Sequence, residues 1–365
     1  MTSAFESRPA AVGSPPEHYG SPIPEQRSLA QGRAIVGLGD RGVVTITGPD
    51  RLTWLDSLTS QSIARLATGE SSETLLLDPQ GRVEHAMRLV DDGETLWLLV
   101  DAGEAPSLAA WLDRMRFMLR VEVADRSADF ETIGWFGGGA LGDDVTAVPH
   151  AVANGVPLVW VDPWSTVGAG GVQYSAADAH PAASWTWRET LIERDRLGEL
   201  AELPAAGTLA AEALRVAAWR PSFSREVDER TIPHELDWLR SAVHMNKGCY
   251  RGQETVAKVH NLGHPPRRVV MLHIDGSDHM PPTPGDVIVL AGQDAESPIG
   301  RVTSVGQHHE LGPIALAVLK RSVDPSATLE IIHEGARIAA AQEIIVPPSA
   351  GAAADVPRLP RLGRR

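Results

Sequence analysis

Apolar positions along the chain fall into short blocks whose spacing switches between strand-like and helix-like. Residues 34–38 and 43–47 read as short strands, and Gly48-Pro49-Asp50 opens a helix with Pro49 near its first turn, where a missing N–H costs little. Leu52, Leu55, Ser57, Leu58 and Ile63 give that helix a buried side. Strands are predicted over 74–77, 82–90 and 95–100, around turns at Asp78-Pro79-Gln80-Gly81 and Asp91-Asp92-Gly93. Leu108, Trp111, Leu112, Met115 and Leu119 recur at helical spacing, so 105–119 reads as an amphipathic helix. Residues 134–182 are rich in Gly, Asp and Pro and read as loops; helical signals return over 186–199 and 207–219. From Arg267 onward six short apolar runs separated by turn residues, with no helix between them, predict a small β-barrel or sandwich. Strand pairs mixed with single helices indicate an α+β class.

The two ends lack this pattern. Residues 1–30 are rich in Pro, Ser and Glu and are expected to form a flexible arm; 348–365, with Arg358, Arg361, Arg364 and Arg365, are expected to form a flexible basic tail. Pro265-Pro266 divides the remainder into units 31–265 and 266–347. No apolar run nears the ~20 residues that span a bilayer, and the N-terminus lacks the basic start and apolar stretch of a secretory signal. A cytoplasmic protein with no membrane partner is expected. The 33 basic and 47 acidic residues leave a net charge of −14, which disfavours direct nucleic-acid binding.

Several motifs tempt and fail. FGGGALG (Gly137, Gly139, Gly142) satisfies a dinucleotide fingerprint, with Asp162 about twenty residues on, but DDVTAVPHAVANG follows in place of an amphipathic helix. Asp143 and Asp144 would repel a pyrophosphate there, so a surface loop is the better reading. His260 and His264 have metal-ligand spacing only on a continuous helix, and Gly263 and Pro265 interrupt it.

The chemistry concentrates in NKGCYRGQETVAKVHN, over 246–261. Two of the chain's three lysines, Lys247 and Lys258, lie within ten residues of its single cysteine, Cys249. Val256 and Val259 fit a short helix beginning near Gly252, with Glu254 in its first turn. Cys249 then precedes a helix N-terminus, with Lys247 and Arg251 two residues to either side, and both features favour a thiolate. A buried structural cysteine is the competing reading.

Lys247-Gly248-Cys249-Tyr250-Arg251-Gly252-Gln253-Glu254 resembles K-G-C-[YF]-x-G-Q-E, the hallmark of the YgfZ family of folate-binding proteins, relatives of the glycine-cleavage aminomethyltransferase (T-protein). Residues 44–50, the run Ala213-Leu214-Arg215-Val216 and Gly300-Arg301-Val302-Thr303-Ser304 resemble the family's early strand, central helix and C-terminal barrel. The resemblance implies an aminomethyltransferase-like folate-binding fold of intertwined ferredoxin-like units with a C-terminal β-barrel. It also implies tetrahydrofolate or a derivative as ligand and iron–sulfur client or assembly proteins as partners, with effects on tRNA modification. Cys249 becomes the candidate reactive thiol. Lys247, Tyr250, Arg251, Gln253 and Glu254 become candidate folate contacts, the cations with Lys258 at the cavity mouth.

Departures from the family shape the functional expectation. Glu84, His85 and Ala86 stand where aminomethyltransferases carry an Asp-Asp pair, and Ala217 stands for the glutamate that pairs with the pterin edge. Arg41 and Ala211 stand where other members have tryptophans proposed to hold folate. Asp101 is the expected substitute acid and Trp219 the expected stacking ring. The reading is therefore a folate-binding factor for iron–sulfur cluster assembly or repair that is not a conventional enzyme. The alternative is a tetrahydrofolate-dependent aminomethyl or one-carbon transferase.

Overall fold

The computed structural model describes residues 4–39, 41–176, 180–276 and 280–354. Strands Ser71–Leu77, Val83–Asp91, Thr95–Val100, Gly42–Thr47 and Glu122–Asp125 make, in that spatial order, a five-stranded antiparallel sheet. Its two faces follow from strict alternation. Val44, Ile46, Leu96 and Leu98 pack under helices Arg51–Leu58 and Glu104–Met115, whereas Val43, Trp97 and Leu99 face the main core. The second helix is shorter than its apolar pattern predicts. It stops at Met115, and Phe117 and Met118 are almost fully exposed beyond it.

A second antiparallel sheet orders Val36–Gly37, Phe130–Phe136, Trp187–Glu193 and Val159–Val161. The chain leaves this sheet after its first strand, builds the whole five-stranded sheet and then returns, so the two units are intertwined. Trp187–Glu193 corrects the helix expected over 186–199. It is an inner strand, paired on both sides and mostly buried, so it shows no clean polar alternation. Only a 3₁₀ turn, Arg194–Leu200, follows it. The expected helix over 207–219 is present as Thr208–Ala217.

All six C-terminal runs are strands: Arg267–Ile274, Val287–Leu290, Gly300–His308, Gly312–Lys320, Leu329–His333 and Ala336–Ile344. They close into a barrel. Val270, Leu272, Ala317 and Leu319 fill its interior, while Val269, Met271, Leu316 and Val318 join the main core outside. Helix Thr208–Ala217 seats on the barrel at Gly306, where a Cβ would lie 2.7 Å from the Ala213 Cα, so glycine permits the approach.

The N-terminal segment is not a loose arm. Pro22–Ala30 is a helix with Leu29 fully buried, and Phe5 is buried beside Ile133 and Trp135. Glu25 accepts hydrogen bonds from the Tyr19 and Ser21 amides at 2.9 Å and from the Gly207 amide at 3.0 Å. Gln26 donates to the Gln307 carbonyl at 3.0 Å and accepts from the His309 amide at 2.7 Å. These long-range polar contacts carry no local sequence signature, which is why composition misread the segment. Of the expected basic tail, the arginines from 358 onward lie outside the described residues, and Ala350 is buried. Among the described residues, no helix is long and apolar enough to cross a membrane.

Candidate functional site

The motif segment folds as its pattern predicts, but its side chains point to other partners. Helix Gln253–Leu262 starts at Gly252, whose φ of 84° is left-handed and whose Cβ position would lie 2.6 Å from the Asp78 carbonyl oxygen, a double requirement for glycine. Cys249 is exposed just ahead of it, which overturns the buried-cysteine reading. Glu254 is exposed in the first turn, and the Gln253 side-chain amide donates to the Lys247 carbonyl at 3.1 Å.

Lys247 is the clearest correction. Its ammonium is buried and donates to the carbonyls of Asp56, Thr59 and Gln61 at 2.6, 2.9 and 2.7 Å, with Asp56 Oδ1 at 3.3 Å. It ties the motif to the end of helix Arg51–Leu58, where the helix dipole favours a cation. Burial lowers its pKa against the pull of Asp56. Tyr250 is buried with Lys247 Nζ 5.5 Å from its ring centre, and burial pushes its hydroxyl well above the usual range. Arg251 pairs with Glu84 in a two-pronged contact and lies 5.7 Å from the Trp111 ring centre. Thus Glu84 is engaged, His85 Nδ1 meets Glu104 Oε2 at 2.5 Å, and Ala86 is buried in the core. None of Lys247, Cys249, Tyr250, Arg251, Gln253, Glu254 and Lys258 lines the cavity described next.

That cavity, of about 220 Å³, opens between the two sheets and helix Thr208–Ala217. Its floor is buried: Asp162, Trp185, Trp187, Glu189 and Arg220; its rim carries the exposed Glu17, Leu209 and Arg225. Arg41 and Ala211, the positions matched to the family's folate-holding tryptophans, both line it. Two tryptophans do too, from a different element: Trp185 and Trp187 stack at 5.8 Å with planes 25° apart.

Ion pairs hold the floor. Arg41 and Arg88 both bridge Asp101 on the five-stranded sheet's side to Glu189 on the second sheet. Arg220 joins Asp162 at 3.0 Å to Glu73 at 2.6 Å. Asp101, the expected substitute acid, is fully engaged: beyond the two arginines it accepts from Ser222 Oγ and the Ser224 amide, each at 3.0 Å. Burial opposes its ionisation, and Arg41 and Arg88 outweigh burial, holding the carboxyl far below the usual range. It braces the cavity from behind and does not line it. Trp219 is likewise absent from the lining; it packs in the core, its ring edge-on to His180 at 5.1 Å.

Sequence reading missed Glu189, Arg88 and Arg220. The only local cue was the dense run Trp185-Thr186-Trp187-Arg188-Glu189, which the helix expectation concealed. The histidines of the rejected metal motif face different partners, His260 the Tyr174 hydroxyl at 3.0 Å and His264 the Ala350 carbonyl at 2.7 Å.

No family model matches the chain. It is 24% identical over 311 residues to a putative chloroplastic transferase of Arabidopsis thaliana, covering 80% of this chain and 66% of that protein. It is 25% identical over 313 residues to an aminomethyltransferase of Symbiobacterium thermophilum, covering 79% and 78%. It is 27% identical over 251 residues to a mitochondrial iron–sulfur cluster assembly factor IBA57 homolog of Mycosarcoma maydis, covering 64% and 55%. The chain thus matches only part of the plant and fungal relatives. Among solved structures, aminomethyltransferase T of the glycine cleavage system from Bartonella henselae superposes with a TM-score of 0.67 at 18% identity, over 91% of each chain. The chain has the aminomethyltransferase fold, closed by a six-stranded C-terminal barrel.

Proposed function

We propose that this protein binds tetrahydrofolate or a derivative in the cavity above and supports the assembly or repair of iron–sulfur proteins. One observation carries the folate part: Arg41 and Ala211, where related proteins are expected to hold folate, line a buried-floored cavity that Trp185 and Trp187 wall on another side. The lining suits such a ligand in kind, since charged and polar side chains and the Trp185–Trp187 stack line it together. The iron–sulfur part is supported by the similarity to the fungal iron–sulfur cluster assembly factor homolog and by the exposed Cys249 of the YgfZ-like motif. Iron–sulfur client or assembly proteins are the partners this reading implies, with tRNA modification as a downstream effect. A cytoplasmic location belongs to the same proposal, and cell fractionation tests it.

Aminomethyl transfer is the weaker reading. At the positions of the transferase acids, Glu84 is held by Arg251, His85 by Glu104, and Ala86 has no acid at all. No free carboxylate stands there to stabilise charge developing on a folate nitrogen. Calorimetric titration of tetrahydrofolate into anaerobically purified protein tests the folate part. Saturable one-to-one binding is expected, and its absence at high micromolar ligand sinks the reading.

A further inference from the structure

Far from the cavity lining, helix Glu104–Met115 ends in an apolar tip. The sequence pattern carries the helix's apolar face on through Leu119, yet Phe117 is 82% exposed, Met118 is 98% exposed, and Met115 and Leu119 are also exposed. Phe117 follows the helix C-cap, Arg116, and holds a left-handed φ of 44°. Glycine is the usual residue at that position because a Cβ is strained there. Phenylalanine accepts the strain and exposes its ring as well. The segment is nevertheless tied down at both ends. Arg116 Nε donates to Asp113 at 2.7 Å, its Nη1 to the Val121 carbonyl at 3.3 Å, and the Leu119 amide to the Arg116 carbonyl at 2.8 Å. Arg120 grips Asp50 through its amide at 2.9 Å and its Nη2 at 2.6 Å. Gly48 permits this approach, since a Cβ there would collide with the Arg120 carbonyl oxygen. A strained aromatic tip on a fixed base is a presented surface.

Charge narrows what covers it. Arg114, Arg116 and Arg120 flank the tip on a chain whose net charge is −14. Arg116 and Arg120 sit in exposed ion pairs, which exchange for a partner's carboxylates at little cost, and the exposed Arg114 has no ion-pair or hydrogen-bond partner among the described residues. The complementary surface is therefore apolar with carboxylates at its edge. An anionic bilayer is apolar and negative too, but it is flat. It would meet the exposed Asp113, Glu122 and Asp125 beside the tip along with the arginines, whereas a concave protein surface meets the tip alone.

We propose that residues 115–119 are the docking point for a folded protein partner with an apolar groove rimmed by carboxylate, Phe117 and Met118 entering the groove and Arg114 meeting the rim. The tip adjoins the motif segment. Arg251, two residues beyond Cys249, has its guanidinium 5.7 Å from the Trp111 ring centre, and Met115 follows Trp111 by one turn of the same helix. A partner seated on the tip extends along Trp111 toward Cys249. That the partner is an iron–sulfur client or assembly protein rests on the functional reading above; the groove chemistry does not.

The test begins with photo-crosslinking in living cells, with a benzoyl-phenylalanine in place of Met118 and, as control, in place of Leu311, exposed on a turn of the barrel. One protein adduct specific to the Met118 site is expected. With that protein purified, calorimetric titration should show Phe117→Gly weakening the complex at least about 10-fold and Arg114→Glu roughly 3- to 10-fold, the second effect shrinking in high salt. Phe117→Gly relieves the left-handed strain, so its thermal midpoint should hold or rise and its tetrahydrofolate affinity should stay within about twofold, which separates lost docking from lost folding. Undiminished affinity in both variants overturns the proposal. So does the absence of a specific adduct, an adduct to a second copy of this chain, or an adduct to lipid with co-sedimentation on phosphatidylcholine vesicles holding about a quarter phosphatidylglycerol. If Phe117→Gly restores iron–sulfur enzyme activity fully in knockout cells while Cys249→Ala does not, the docking point falls and the iron–sulfur reading stands. If the variants weaken a partner that neither carries nor assembles an iron–sulfur cluster, the docking point stands and its iron–sulfur assignment falls.

Discussion

Replacing Lys247 with methionine separates a structural cation from a ligand-binding one. Methionine keeps the apolar stem but removes the ammonium, stranding the carbonyls of Asp56, Thr59 and Gln61 at the end of helix Arg51–Leu58. Each such bond contributes about 1 kcal/mol net, so the three together contribute about 3 kcal/mol. The Lys247 side chain is only 4% exposed, so solvent offers the stranded oxygens little relief. Offsetting this, burial already disfavours the cation, as its lowered pKa records. A net loss near 3 kcal/mol lowers the thermal midpoint by roughly 4 °C in a chain of this size. Scanning calorimetry of ligand-free protein measures it, and tetrahydrofolate titration of the same sample should show affinity within about twofold of wild type. A midpoint unchanged to within about 1 °C, accompanied by lost folate affinity, would refute this reasoning and return Lys247 to a cavity mouth.

Other outcomes follow from groups already placed. Asp237 is buried in a left-handed turn at φ 56°, and burial raises its pKa to about 7 against the Tyr174 amide and Arg240. Between pH 3.8 and 7 the folded state keeps a proton that the unfolded state has lost, so its contribution fades as pH rises. Asp237→Asn should therefore gain stability relative to wild type from pH 5 to pH 8 in denaturant titrations, and a pH-independent difference counts against it. Cys249→Ala, at an exposed position, should shift the midpoint by less than about 1 °C and reduce iron–sulfur enzyme activity in complemented knockout cells; full rescue by the variant removes Cys249 from the function. With an aminomethylated lipoyl carrier and tetrahydrofolate, the protein should release methylenetetrahydrofolate only at background rate, and turnover like a true T-protein would restore the transferase reading. Deleting residues 1–30 strips the buried Phe5 and Leu29 from the core and should leave the protein aggregated or lower its midpoint by more than 10 °C, whereas a dispensable arm would change neither.

What was legible in the sequence depended on how local the signal was. The barrel strands were readable because Gly and Pro turns bracket each run, as at Gly285-Asp286 and Gly312-Pro313. The motif helix was readable because Gly252, Gln253 and Glu254 mark its start within three residues. Trp187–Glu193 was not, because an inner strand buried on both faces carries no period-2 pattern to oppose a helical one. Glu189, a cavity-lining carboxylate, is hidden with that strand, and the acid the sequence does offer, Asp101, is already held by two arginines. Lys247 sat beside Cys249 in sequence, yet proximity along a chain does not say which way a long side chain turns; its acceptors lie nearly two hundred residues upstream.

The docking of helix Pro22–Ala30 also orders events in time. Gln26 closes its hydrogen bonds on Gln307 and His309, groups that leave the ribosome about 280 residues after it. At typical synthesis rates that gap lasts roughly 14–56 s, during which the core that buries Leu29 is incomplete. Helix Pro22–Ala30, made before the barrel it docks on, is thus among the last elements to settle. A nascent chain held on the ribosome before residue 307 emerges should leave this helix open to protease, and release of the full chain should close it.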